Sequence, residues 1–284
     1  MKKRYLQQKI FYGLLLFCTL VVVVFVLGII IFLVIRGARA INLNFILGFP
    51  ENGMREGGIF PAILGTLYLM IGTIIFALPI GIFAAIYINE YAGKSKITRI
   101  IRLSIINMSG VPSVVFGLFG LGFFVLFLRL GKSILAGSLT LALMILPVII
   151  TSTEEALKSV SDTYRHASLA LGATKWQTIY KVVLPQALPG IITGSVIGIG
   201  RAAGETAPII FTVAAFSQPG LPKSILDQVM ALPYHLYVLA TQVTNPPEDI
   251  QWGTALVLLF LVLFFSVIGS IIRVRQRLKK RELS

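Results

Sequence analysis

The sequence predicts an all-α membrane protein with six transmembrane helices and both termini in the cytoplasm. Three observations carry that expectation. Of 284 residues, 56% are hydrophobic and only 13% charged, a balance that excludes a soluble domain, which must cover its core with polar surface. The charges gather between apolar stretches of about the 20 residues that a hydrocarbon core of about 30 Å requires of a helix. Lysine and arginine, finally, fall mainly on every second connection, as positive-inside asymmetry demands.

In chain order, MKKRYLQQK precedes an apolar run at 10–35. That run far exceeds the roughly 7 to 15 residues of a signal peptide's apolar region, so it reads as a retained first span. The others lie at 59–88, 103–128, 133–153, 188–216 and 253–272. Pro79, Pro112, Pro147 and Pro208 fall inside them and predict kinks or unwound turns, tolerated where neighbouring helices satisfy the freed backbone groups. One face of the membrane receives Lys2, Lys3, Arg4 and Lys9, then Lys94, Lys96, Arg99 and Arg102, then Lys158, Arg165, Lys175 and Lys181, then the six basic residues from Arg273 to Arg281, 18 of the 25 in the chain. The opposite face has Arg36, Arg39, Arg55, Arg129, Lys132 and Lys223. An even number of spans agrees with termini on one side. All 284 residues form one membrane domain, with outer loops at 36–58 and 217–252, the second carrying SQPG, TNPPED and an amphipathic segment near 225–239.

The longest inner connection, 154–187, has the grammar of a helical hairpin. Ser161 or Asp162 can cap a helix running to about Leu171, where Gly172 supplies the left-handed residue that ends it. Thr174 and Gln177 fit a capping box for a second helix, which Pro185 should terminate or kink. Leu169, Leu171 and Trp176 either pack on the bundle or are offered to a partner.

The span at 188–216 reads GIGRAAGETAPII around its charges. Arg201 and Glu205 are four residues apart and would share one face of a helix. A lone charge at the membrane centre costs about 2.5 to 3.5 kcal/mol by insertion scales, so they either neutralise each other or serve a substrate path. Gly190, Gly194 and Gly198 form one row of small residues, and Gly200, Gly204 and Pro208 another, so a helix or second subunit can approach closely.

Three features exclude catalysis by the chain itself. No G-x-x-x-x-G-K-[ST] phosphate loop occurs, Leu126 standing where Leu130-Gly131-Lys132-Ser133 would need its first glycine. The two histidines, His166 and His235, have no metal-ligand spacing, and Cys18 is the only cysteine. No cofactor is expected, and the basic clusters mark topology rather than nucleic acid.

Gly172, nine residues, then Val182, Val183, Leu184 and Pro185 are similar to the loop signature of ATP-binding cassette importer permeases, although His166, Ala167 and Ser168 replace its Glu-Ala-Ala and Val182 its isoleucine. RAAGETAPI, from Arg201 to Ile209, resembles the signature of phosphate-specific importer permeases, its Ala-Pro ending being closer to the PstA-type subunit than to the PstC-type. ALPIGIFAAIYINEYAG (77–93), NMSGVPSVVFGLFGLGFF (107–124) and LALGATKWQTIYKVVLPQALPGI (169–191) agree. The resemblance implies a type I importer architecture in the cell membrane of a prokaryote. It implies a second permease of PstC type, two copies of a PstB-type ATPase and an extracytoplasmic PstS-type phosphate-binding protein. By it, Arg165, His166, Ala167, Ser168, Gly172, Ala173, Trp176, Leu184 and Pro185 belong to the ATPase-coupling loop, and Arg201 and Glu205 to the path of inorganic phosphate. Carriage of molybdate or sulfate, an ion-coupled carrier, and a sensor subunit without transport are the alternatives.

Overall fold

Apolar runs of this length become helices because lipid offers no partner to a free backbone N–H or C=O. The computed structural model describes residues 2–93, 95–216, 220–244 and 246–281. Lys94 of the basic cluster, residues 217–219 of the second outer loop and Asn245 lie outside them, as do the side chains of residues 2–4, 6, 7 and 276–281.

Helix α1 (Lys2–Gly37) is exposed along nearly all its described length. It docks by its last turns, where a Cβ on Gly37 would stand 2.5 Å from the Trp252 carbonyl oxygen and Phe32 meets the Trp252 ring edge-on at 5.2 Å. A short α2 (Leu43–Leu47), capped by the Asn42 side chain, and a small hairpin of β1 (Pro50–Glu51) and β2 (Glu56–Gly57) lead into α3 (Phe60–Ile86), which continues as a π turn over Tyr87–Tyr91. Next come α4 (Lys96–Ser109), α5 (Ser113–Gly120) with a π turn at Leu121–Phe127, and α6 (Ile134–Lys158). The chain continues through α7 (Asp162–Ala170), α8 (Lys175–Thr178), a π turn at Ile179–Val183, α9 (Leu184–Gly204), α10 (Ala207–Thr212), α11 (Leu232–Thr241) and α12 (Glu248–Arg281).

Among the described residues, five helical stretches are long and apolar enough to cross a membrane: Gln8–Ala40, Phe60–Tyr91, Ile134–Lys158, Lys175–Gly204 and Glu248–Arg275. The α4–α5 pair, bent by 104°, makes a sixth if it counts as one span. The third span expected at 103–128 is therefore not a single rod. Pro112 bars helical geometry at Val111, and Lys96, Arg99 and Arg102 give α4 a charged side, so they lie in a helix rather than a loop. The fifth span is displaced as well, beginning at Lys175 and ending at Gly204 instead of covering 188–216. Pro185 does not end a helix. The widened π turn just before it absorbs the missing N–H, and the helix of the hairpin runs on into the membrane. Of the amphipathic segment expected at 225–239, only the part from Leu232 onward is helical.

Helix α6 is the most buried span and lies between α3 and α9. Close approach depends on small residues: a Cβ on Gly190 would sit 2.6 Å from the Ala156 side chain, and one on Gly194 2.2 Å from that of Ser152. The first glycine row thus serves the α6–α9 contact within the chain. At the end away from the basic clusters, Thr212, Ile225 and Asp227 offer carbonyls to the first N–H groups of α6 and the residues before it, and Leu232 N–H donates to Thr66 Oγ1 at 2.8 Å.

Candidate functional site: a charged helix break and an exposed hairpin

The break between α9 and α10 carries the two charges. Gly204 is the last helical residue, and Glu205 turns extended at φ −76°, ψ 133°. Arg201 Nε nevertheless reaches Glu205 Oε1 at 3.3 Å, with the two side chains 38% and 17% exposed. The expected pair forms, but it straddles the end of a helix instead of lying along one. Arg201 occupies the last turn, where the helix dipole favours a cation. Its Nη1 and Nη2 meet no acceptor among the described residues, leaving one edge of the guanidinium open.

Two interruptions of the fold meet behind this pair. Ala202 and Ile209 share one apolar cluster with Val111 and Phe116, and a Cβ on Gly117 would lie 2.9 Å from Pro208 Cα. The bend at 110–112 and the break at 205–206 thus support one another. On the other side, a Cβ added to Gly204 would meet nothing within 4 Å and Ile197 is exposed, so that face of α9 is uncovered in the single chain.

The hairpin at the basic end has the expected caps. Ser161 caps α7, Gly172 takes φ +84°, and the Thr174–Gln177 capping box makes both its bonds, at 2.9 and 3.3 Å. No residue of α7 is buried, Leu171 is 89% exposed, and Leu169, Trp176, His166 and Ala167 all face outward. The apolar side chains therefore do not pack on the bundle. Ser168 Oγ and Thr178 Oγ1, 2.9 Å apart, tie the two helices together. Ala173 and Leu184 are half-buried, and Pro185 is exposed on the continuous helix.

Arg165 departs from the rest by pointing inward. Nη2 donates to the Leu157 carbonyl at 2.8 Å and Glu90 Oε1 at 3.1 Å, while Nη1 donates to the Val160 carbonyl at 2.5 Å and Asp162 Oδ1 at 3.1 Å. Glu154, also buried, gathers Arg102 Nη2 at 2.9 Å and Lys158 Nζ at 2.6 Å. Sequence reasoning missed both acids. The four-residue spacing of Glu154 and Lys158 was a usable signal, but nothing local links Glu90 to a residue 75 positions away. His235 in α11, outside the spans, is 1% exposed with neither ring nitrogen partnered among the described residues, and burial pulls its pKa from 6.5 down to about 4.

Comparison with known proteins places these features in context. Residues 77–281 match the family described as binding-protein-dependent transport system inner membrane component. The chain is 32% identical over 277 residues to a probable ABC transporter permease protein, YqgI, of Bacillus subtilis (strain 168), covering 93% of this chain and 94% of that one. It is 36% identical over 270 residues to the probable phosphate transport system permease protein PstA of Methanocaldococcus jannaschii, covering 93% of each. Among solved structures, a chain of the bacterial alginate ABC transporter in complex with an alginate pentasaccharide-bound periplasmic protein superposes with a TM-score of 0.64 at 18% identity, over 96% of this chain and 94% of that one. At that identity the likeness is one of fold.

Proposed function

Because the chain belongs to the inner-membrane components of binding-protein-dependent transport systems, we propose that this multi-pass membrane protein is the PstA-type permease of an ATP-driven inorganic phosphate importer in a prokaryotic cytoplasmic membrane. The relatives named as phosphate permeases, at 36 to 38% identity, support the substrate. The observation that carries the reading in chemical terms is the Arg201 guanidinium, held on one edge by Glu205 and open on the other at a break in a span.

That arrangement suits a tetrahedral oxyanion. The open edge presents parallel donors to two phosphate oxygens, and Glu205 keeps the fork oriented. Glu205 can also accept a hydrogen bond from a protonated phosphate oxygen, a donor that fully ionised sulfate lacks. A PstC-type permease would cover the open face of α9 and close the passage. The excess of lysine and arginine sets the hairpin and both termini in the cytoplasm. There, exposed Leu171 and Trp176 suit a groove on a PstB-type ATPase, one of two in the assembly, while a PstS-type binding protein delivers phosphate on the opposite face. ATP binding and hydrolysis would rock the two permeases against each other and alternate access to Arg201.

The experiment is radiolabelled phosphate uptake at micromolar concentration in cells lacking this gene, complemented with wild type or an equally expressed Arg201→Gln chain, with sulfate and molybdate as competitors. Uptake restored by wild type alone and blocked by neither competitor supports the reading. Equal uptake by the variant removes Arg201 from the path, and no uptake by either removes phosphate as the substrate.

A further inference from the structure

The hairpin is held to the membrane helices by more than chain continuity. Arg165 uses both terminal nitrogens on four acceptors, so its fork is filled inside the protein. Its Leu157 and Val160 partners are carbonyls in the last turn of α6 and just beyond it, but Glu90 belongs to the π turn that closes α3. The Arg165 and Glu90 side chains are 16% and 9% exposed. Glu90 Oε1 also accepts from Asn89 Nδ2 at 2.8 Å, which fixes the carboxylate for Arg165. The second half of the hairpin reaches the same turn, with Lys175 Nζ 4.8 Å from the centroid of the Tyr91 ring. Both helices of the hairpin thus grip the end of α3.

Helix α3 then runs toward the charged break. Ala77 lies in the same apolar cluster as Ala202, the neighbour of Arg201. Thirteen residues separate Ala77 from Glu90, about 20 Å along a helix. Between them Pro79 leaves the Ile75 carbonyl without its helical donor, a point at which α3 can flex. The hairpin therefore has two routes to Arg201: through the bonds of α8 and α9, and through the Glu90 ion pair and α3.

We propose that the buried Arg165–Glu90 pair is the joint by which movement of the ATPase-docking hairpin is transmitted to α3, with Glu90 as the positioning residue on the membrane side. This rests on the reading of the hairpin as the seat of the ATPase. The pair suits such a role because three further hydrogen bonds, to the Leu157 and Val160 carbonyls and to Asp162, hold Arg165 in place while it reaches Glu90, so this charged contact resists displacement where an apolar one slides. Arg165 is accordingly a strut within the permease rather than a contact to the ATPase.

The test is the complete importer, purified through a tag on this chain and reconstituted in proteoliposomes, with ATP hydrolysed and radiolabelled phosphate taken up measured together. Glu90→Gln is isosteric and should retain the ATPase and hydrolyse ATP within about twofold of wild type, while uptake falls at least tenfold. The ATP consumed per phosphate then rises at least tenfold. Arg165→Lys should raise the same ratio, and the double variant should raise it no further than the single ones, as expected of two ends of one contact. A wild-type ratio in Glu90→Gln overturns the proposal. So does a parallel fall of hydrolysis, uptake and co-purified ATPase, which would make Glu90 a prop for the hairpin's shape, and so do effects of the two variants that multiply. A wild-type preparation that carries no ATPase, or takes up no phosphate, overturns the underlying reading and the joint with it.

Discussion

Lowering the pH should weaken this protein through one residue. His235 is buried with neither nitrogen partnered among the described residues, and its pKa falls from 6.5 to about 4 on folding. The folded state therefore prefers the neutral ring, and between these two values the unfolded chain binds more protons. Stability from this group is fully present above about pH 6.5 and is lost as pH falls toward 4. A difference of about 2.5 units corresponds to a ceiling of about 3.4 kcal/mol, of which about 2 kcal/mol should be gone by pH 5 and about 3 kcal/mol by pH 4. For a chain of this size, 2 kcal/mol is a drop of about 4 °C in the unfolding midpoint. The perturbation is His235→Leu, which keeps the apolar volume and removes the proton site. Thermal unfolding of the purified permease in detergent, from pH 7.5 to pH 4.5, is the assay. Carboxylates elsewhere titrate equally in both proteins, so the difference between the two curves isolates the histidine. It should grow by about 4 °C between pH 7.5 and pH 5 in favour of the variant. Parallel curves would refute the reasoning, since they would mean that water or a protein group satisfies the imidazole in either charge state.

Three further outcomes follow from the packing. Gly194→Val should lower the yield of folded protein, because even a Cβ meets Ser152 at 2.2 Å and overpacking a tight contact costs about 1–3 kcal/mol; fluorescence-detected gel filtration measures it. Gly204→Leu, with open space around it, should leave that profile unchanged yet prevent co-purification of a second permease if α9 forms the shared face. Leu171→Asp, at a side chain 89% exposed, should leave the chain's melting unchanged and abolish pull-down of the ATPase.

Much of the fold was legible from local patterns. Lipid forces each apolar run to close its own hydrogen bonds, so the existence of the spans follows from composition and length. The hairpin was equally readable, since Ser161, Gly172, Thr174 and Gln177 act on backbone groups within three residues of themselves. The pairing of Arg201 with Glu205 also followed from spacing, because four residues remain within reach whether or not the helix continues.

The remainder depended on residues distant in sequence. Pro112 announced a disturbance, but the 104° bend is held by α5 seating Gly117 against Pro208. Pro185 argued for the end of a helix, yet Val183 and Ile179 pack with α3 and α6, and the chain widened into a π turn rather than lose that burial. Arg165 looked like its exposed neighbours in the hairpin, yet it turns inward onto the nearby Leu157 and Val160 carbonyls and onto Glu90, which only the packing of α3 brings within reach. By itself, then, the sequence determined that the chain folds as membrane-crossing helices, where its basic residues cluster and which residues cap the hairpin, because those properties arise from solvent and from neighbouring backbone. The tertiary structure decided where helices bend, which glycine row meets which helix and which charges are shared, because each requires two surfaces to come together before either residue has a partner.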